Sequence, residues 1–371
     1  VTDFRGLVSA GIQGLTPYQP GKPVEELQRE LGLDSIIKLA SNENPLGPAP
    51  AVRRAIEAAS ADLSRYPDGN GFALKQTLAQ RHQIDAEQIT LGNGSNDVLD
   101  LIARVFLGNG RSAVFSQYAF AVYPLSTLAA GGRPLAAAAT DDYGHDLTAM
   151  RALVDEQTGV VFIANPNNPT GTMLAGAPLR EFVASLPSQV VVVIDEAYFE
   201  YVEHADYPDT ISWLQAFPNL VVTRTFSKAY GLAGLRVGYA LSNGEIADLL
   251  NRVRQPFNVN SLALVAAETA LQETDHLARA VDLNNRELQR VGQRLTELGL
   301  HVIPSVGNFI CVDVGREAAS VYDGMLRLGV IVRPVDNYGL PTHLRISLGL
   351  EAENNRCVDA LASVLDRKLS A

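Results

Sequence analysis

Apolar residues follow two alternating patterns over the first two-thirds of the chain. Short runs rich in Val, Ile, Leu and Ala recur at 89–92, 112–116, 133–138, 159–164, 190–194, 219–223 and 236–241, and predict strands. Between most of them, apolar positions recur at threes and fours, which predicts helices over 50–61, 71–83, 118–130, 146–155 and 177–186. A further helix opens at 92–97 and carries Val98, Leu99, Leu101, Ile102, Val105 and Phe106 at its apolar positions. Residues 190–194 are wholly apolar, as a central strand covered on both faces requires. Strands alternating with helices predict an α/β fold, with a mainly parallel sheet between helical layers.

The pattern differs at both ends. Residues 1–35 are turn-rich around Gly14-Leu-Thr-Pro-Tyr18-Gln-Pro and read as an arm, with a short amphipathic helix near 24–31 and a strand at 36–40 beyond. After about 245, helices are predicted over 245–254, 261–273 and 276–298, the last capped by Gly299. Short strands at 301–304, 309–314, 330–333 and 343–347 follow, with helices at 317–328 and 352–367, which is the texture of a smaller α+β domain. The expected division is an arm over 1–35, a large domain over 36–250 and a small domain over 251–371.

Composition narrows the function. A chain of 371 residues with 47% hydrophobic content buries a large core, and two domains are expected. The net charge of −11 argues against an extended nucleic-acid or membrane surface, so an anionic substrate has to be held by a few local arginines. Cys311 and Cys357 match no metal or redox spacing, and the six histidines are scattered, so no metal is expected. With no signal peptide and no membrane-length apolar run, the expected location is the cytoplasm.

Candidate chemistry gathers where predicted strands end. Lys228 is the only one of five lysines that follows a buried strand, where a desolvated amine has a lowered pKa and can act as a nucleophile. Thr225 and Ser227 before it and Arg236 after it suit a phosphate, so the stretch suggests pyridoxal 5′-phosphate (PLP) held as a Schiff base; the plainer alternative is a lysine snorkelling from a strand end. Gly94, Ser95 and Asn96 open a helix after a strand, which is either a phosphate cradle or an ordinary N-cap. Asp195 and Glu196 end the most apolar strand. A nucleotide-triphosphatase Mg²⁺ site would need a G-x-x-x-x-G-K-[ST] loop, which is missing, whereas a buried Asp195 paired with a pyridinium nitrogen fits, with Tyr198 in reach of the ring's phenolate oxygen. The loop Asn165-Pro-Asn-Asn168-Pro-Thr-Gly171 lies at a strand's carboxyl end, where open α/β sheets bind ligands. Arg333 and Arg345 fall in predicted strands, either as a clamp for carboxylate or phosphate or as surface charges.

Asn168-Pro-Thr-Gly171, Asp195-x-x-Tyr198, Ser227-Lys228 with Arg236, and Arg345 occur in an order and spacing that resemble the fold-type I PLP-dependent aminotransferases. Leu15-Thr-Pro-Tyr18, Asn42-Glu-Asn44-Pro45, Arg65-Tyr66-Pro, Asp195-Glu-Ala-Tyr198 and the Arg333/Arg345 pair resemble the histidinol-phosphate aminotransferases among them. The resemblance implies a seven-stranded large-domain sheet, Lys228 as Schiff-base lysine and proton shuttle, and Asp195 on the pyridinium. It puts Tyr198 and Asn168 on the phenolate oxygen and Tyr118 stacked on the ring, with Phe120 as the alternative because Ser116-Gln-Tyr118-Ala-Phe120 lacks the usual proline. Gly94, Ser95, Asn96, Thr225, Ser227 and Arg236 would hold the phosphate. Tyr66 would reach the partner's cofactor in a homodimer with shared sites, and Tyr18, Asn44, Arg333 and Arg345 would meet the substrate.

The expected reaction is reversible amino transfer between L-histidinol phosphate and 2-oxoglutarate. The rivals are an aromatic amino-acid aminotransferase, a phosphothreonine decarboxylase-like lyase, and a PLP-binding regulatory module. The short arm leaves no room for the DNA-binding domain the last of these needs.

Overall fold

The computed structural model describes residues 3–17 and 21–367. Two helices, α1 (Ala10–Gln13) and α2 (Val24–Leu31), lead to β1 (Ile37–Lys38), α3 (Pro50–Ala59) and α4 (Phe72–His82). An alternating run follows: β2 (Ile89–Gly92), α5 (Ser95–Phe106), β3 (Ser112–Ser116), α6 (Val122–Ala129), β4 (Arg133–Ala137), α7 (Leu147–Ala152), β5 (Thr158–Ala164), α8 (Gly176–Ser185), β6 (Val191–Asp195), β7 (Leu220–Thr225) and β8 (Gly238–Ser242). The remainder is α9 (Gly244–Val253), α10 (Ser261–Gln272), α11 (Thr274–Glu297), β9 (His301–Ile303), β10 (Phe309–Asp313), α12 (Ala318–Arg327), β11 (Val330–Ile331), β12 (Arg333–Val335), β13 (Leu340–Ser347) and α13 (Glu351–Val364).

The seven strands β2 to β8 form one sheet in the order β2-β8-β7-β6-β5-β3-β4. Only β8 runs against its neighbours, so the sheet is mainly parallel. Apolar residues of successive strand positions pass to opposite faces. Val192, Ile194, Leu220 and Val222 enter one core with α3, α4, α8 and α10, while Val191, Val193 and Val221 enter another with α5 and α9. A four-stranded antiparallel sheet, β12-β13-β10-β9, and a two-stranded parallel sheet, β1-β11, cover a third core with α11, α12 and α13.

Several expectations shift at the edges. The helix expected over 118–130 begins at Val122. Pro124 explains the delay: a helix from 118 would put it in the interior, where its ring clashes with the preceding turn, whereas a start at 122 leaves it among the amides that have no helical partner anyway. The strand expected over 236–241 begins at Gly238, because Arg236 sits in the left-handed region at φ 58° after a short 3-10 turn. The strand expected over 330–333 is two strands in different sheets. Ile37–Lys38 hydrogen-bonds to the C-terminal unit, while Ala263, Ala266, Ala267 and Ala270 of α10 join the core under the large sheet. An early strand therefore pairs with the C-terminal part of the chain, and a late helix packs under the large sheet.

Candidate active site

The carboxyl ends of β5, β6 and β7 meet the N-terminus of α5 at one cavity of about 180 Å³. Asp195 is paired in register with Thr223, so the two side chains lie on one face of the sheet. Thr223 Oγ1 donates to one carboxylate oxygen of Asp195 and Tyr123 Oη to the other, each at 3.0 Å. Burial raises the Asp195 pKa to about 6, against these hydrogen bonds, which pull it down. Both donors are neutral, and the buried carboxylate has no cationic partner among its described contacts. A protonated ring nitrogen would supply one.

Lys228 follows β7 in the turn 226–232. Its Nζ donates to Ser41 O at 3.0 Å. Burial first, then the positive charges of Arg345 and Arg236, lower its pKa to about 7 against the pull of Glu43 and Asp195. A large fraction of neutral amine is thus present at neutral pH. Beside it, Thr225, Ser227, Ser95, Asn96 and Arg236 line the same cavity. Ser95 and Asn96 are the first residues of α5, so their amides have no intrahelical acceptor and face outward with the positive end of the helix dipole. Arg236 Nη1 donates to Ser227 Oγ at 3.3 Å. Gly94 has φ 82°, and a Cβ there would come within 2.4 Å of Arg236 Nη2, so only glycine leaves the guanidinium its place. Hydroxyls, helix amides and a guanidinium form an anion cradle.

A second cationic group lines the same cavity. Arg333 and Arg345 are direct cross-strand partners on β12 and β13, and both line the cavity. Arg345 Nη1 donates to Asn168 Oδ1 and Nη2 to Ala40 O, each at 2.6 Å, leaving Nε without a partner. Asn168 therefore spends its carbonyl oxygen on Arg345 and keeps its amide donors. Tyr198 also lines the cavity, its hydroxyl receiving Asn42 Nδ2 at 2.9 Å. Burial raises its pKa to about 12, so it remains a proton donor.

Some expected site residues lie elsewhere. Phe120, not Tyr118, lines the cavity. The Tyr118 ring packs with Val335, Tyr338 and Leu340 and lies 5.8 Å from Tyr143, because the turn ahead of α6 directs it at the C-terminal unit. Asn44 does not line the cavity either: its amide donates to Ala229 O at 2.7 Å and its oxygen accepts from Leu46 N, so it pins its loop to the turn after Lys228. Tyr66 is 82% exposed, stacked on Phe257 at 4.7 Å and away from its own chain's cavity. Tyr18 lies outside the described residues. Two residues that sequence reasoning passed over matter here. Tyr123 holds Asp195 from 72 positions away with no local signal, and Asn42 shares the loop that pointed to Asn44.

Fold and cavity together define an enzyme of the aminotransferase type. The chain belongs to the aminotransferase class I and II family, whose model matches residues 34–361. It is 58% identical over 367 residues to histidinol-phosphate aminotransferase 2 of Pseudomonas fluorescens strain Pf-5, covering 98% of this chain and 99% of the relative. It is also 58% identical over 369 residues to histidinol-phosphate aminotransferase 2 of Pseudomonas aeruginosa, with the same coverage. Among solved structures, histidinol-phosphate aminotransferase from Sinorhizobium meliloti in complex with pyridoxal-5′-phosphate superposes with a TM-score of 0.89, at 31% identity over 97% of each chain.

Proposed function

We propose that this enzyme uses PLP to move an amino group reversibly between L-histidinol phosphate and 2-oxoglutarate, as a step of histidine biosynthesis in the cytoplasm. One observation carries the reading: a single cavity is lined by an anion cradle, a guanidinium pair and a lysine whose pKa is lowered to about 7. The relatives' names agree with it.

The residues fit the cofactor. Its phosphate matches the cradle that Gly94 keeps open, and its ring cation matches the uncompensated Asp195. When bound, PLP supplies an electron sink for a substrate carbanion. Lys228 would be the nucleophile that holds the cofactor, and its amine would serve as the base for the proton on the substrate carbon. Asp195 keeps the ring nitrogen protonated, while Tyr198 and Asn168 offer donors to the phenolate oxygen. Arg345, preset by Asn168 and Ala40, takes the anionic end of either substrate, and Arg333 adds the second guanidinium that a dianionic phosphate can use.

The test compares histidinol phosphate, glutamate, phenylalanine, tyrosine and phosphothreonine in half-reactions followed by the bound cofactor's spectrum. Histidinol phosphate is expected to lead. Arg333→Ala is expected to lower its kcat/KM by about 10- to 150-fold, the worth of one charge-assisted hydrogen bond, and to spare glutamate. Phenylalanine or tyrosine matching histidinol phosphate, with Arg333→Ala affecting all equally, would make the aromatic aminotransferase the better reading.

Assembly belongs to the same proposal. The exposed Tyr66 of each protomer completes its partner's cavity in a homodimer. Mixing Lys228→Ala with Tyr66→Ala protomers is expected to restore one working site per heterodimer, and unrecovered activity in verified heterodimers counts against sharing.

A further inference from the structure

Asn42 is 1% exposed and sits at φ 54°, in the left-handed region that a non-glycine residue adopts at a cost. All of its polar groups are engaged. Its backbone N–H donates to Ser347 Oγ at 2.7 Å, and Ser347 Oγ donates back to Asn42 Oδ1 at 2.9 Å. Its backbone oxygen accepts from Asn308 Nδ2 at 2.9 Å. Its remaining group, Nδ2, donates to Tyr198 Oη at 2.9 Å.

The direction of these bonds follows from counting protons. Ser347 Oγ already accepts the Asn42 amide, so its one proton must find an acceptor, and Asn42 Oδ1 is placed to be it. The opposite amide orientation would give Ser347 Oγ two incoming N–H groups and leave its own proton without Asn42 Oδ1 as acceptor. With Oδ1 on Ser347, Asn42 can only donate to Tyr198. The tyrosine hydroxyl then spends an acceptor site on Asn42 and has its own proton free for another oxygen. Tyr198 lines the cavity, so that oxygen is in the cavity.

We infer that Asn42 is a positioning residue that makes Tyr198 a proton donor to the cofactor's phenolate oxygen, and that Ser347 of β13 sets its direction. The inference rests on the proposed PLP chemistry. Because Ser347 and Asn308 lie in the C-terminal unit and Tyr198 in the large-sheet unit, the relay also ties the donor's aim to how the two units meet. Asn42 lines the same cavity, but its one uncommitted donor goes to Tyr198, so it acts through that hydroxyl. The backbone strain fits this role, since αL geometry at Asn42 lets its amide and its N–H address Ser347 together.

Donation to the phenolate oxygen stabilises its negative form and so makes the proton shared with the nearby lysine-derived nitrogen easier to lose. Removing the donor must raise the pH midpoint of the bound cofactor's visible band. Asn42→Asp keeps size and the tolerance of positive φ but turns the donor into an acceptor, so Tyr198 turns its proton away from the cavity. In the reconstituted holoenzyme, Asn42→Asp is expected to raise the midpoint by about one to two pH units, the same shift expected of Tyr198→Phe. Asn42→Gly, which introduces no charge, should move it in the same direction by less. In the Tyr198→Phe background the Asn42→Gly effect should vanish, which a merely structural role or a general loosening of the site would not produce. An unchanged midpoint in both Asn42 variants, or an Asn42→Gly shift that survives in Tyr198→Phe, overturns the inference. Borohydride labelling of Lys228 in the same preparations separates the cases: an unlabelled wild type refutes the PLP reading, whereas a labelled one with unmoved midpoints refutes only Asn42's role.

Discussion

Asp195 and Glu196 are neighbours at the end of β6, both almost fully buried, yet they face opposite environments. Asp195 looks into the cavity, and the side chains that donate to it, Tyr123 and Thr223, are both neutral. Glu196 looks to the other side of the sheet, where Arg224 approaches it through Nε at 2.9 Å and Nη2 at 2.7 Å, and Thr210 donates at 2.5 Å. Arg224 is boxed in further by the Phe199 ring, 3.5 Å from its guanidinium carbon. Burial alone would lower the Arg224 pKa, and Glu196, with Tyr239 and Glu200, more than reverses this. On the back face Arg224 and Glu196 are each other's built-in partner, while Glu200 beside them keeps a buried oxygen without a hydrogen bond. On the front, no cation among the described residues hydrogen-bonds to Asp195, Arg345 has a buried Nε without a partner, and burial lowers the Lys228 pKa to about 7. Arg224 and Glu196 partner each other inside the fold, whereas Asp195 and Arg345 present groups to the cavity.

The largest expected effect tests the front face at its centre. Lys228→Ala removes both nucleophile and base, so turnover should fall by about 10⁴-fold or more. Stability of the cofactor-free protein at pH 7 should not fall, because a buried amine with lowered pKa costs folding free energy. A marked loss of stability would mean that Lys228 belongs with the structural charges.

The next comparison sets equal chemistry on the two faces. Asp195→Asn should cost about 10²- to 10³-fold in the single-turnover rate, the scale of losing a preorganised electrostatic contact. Glu196→Gln leaves Arg224 buried without its carboxylate, which should cost about 3–5 kcal/mol of stability in urea unfolding. Its holoenzyme, below its unfolding midpoint, should stay within about tenfold of wild-type turnover. If Glu196→Gln slows chemistry as much as Asp195→Asn, the division of labour between the faces fails.

Much of this was legible in the sequence because strand ends carry their chemistry locally. The wholly apolar run before Asp195 and the hydroxyl-lysine sequence after β7 mark buried strands that stop at polar groups. Arg333 and Arg345 could be paired as chemistry, though not as register partners. What escaped was set by tertiary packing. Tyr123 reads as one more aromatic of a helix start, and only the meeting of α6 with β6 makes it a ligand of Asp195. Tyr118 and Phe120 are two residues apart in one turn, and the onset of α6 at Val122, fixed by Pro124, decides which of them lines the cavity. Asn42 and Asn44 are both buried in one loop, and only their partners, Tyr198 and Ala229, separate a site residue from a loop staple.

The smallest expected effect is also the sharpest in sign, because Asp195→Asn and Glu196→Gln should move the cofactor-free protein in opposite directions. The folded-state pKa of Asp195 is raised from 3.8 to about 6. Below pH 3.8 both folded and unfolded states hold the proton, and this residue contributes no pH-dependent penalty. As pH rises towards 6 the unfolded chain releases its proton first, so folding stability falls, and above about 6 the full penalty is present. Asp195→Asn removes that penalty. The variant should therefore match wild type near pH 4 and become the more stable of the two by about 1–3 kcal/mol above pH 6. Glu196→Gln should be less stable than wild type at neutral pH, since it takes a partner away from a buried cation. Adding PLP should reverse the first difference, because the ring cation turns the Asp195 carboxylate from a cost into a contact. Urea midpoints across pH 4–8, with and without cofactor, measure all three curves. An Asp195→Asn variant that is destabilised without cofactor would show that Tyr123 and Thr223 already compensate the carboxylate, and Asp195 would then be as fully partnered within the fold as Glu196.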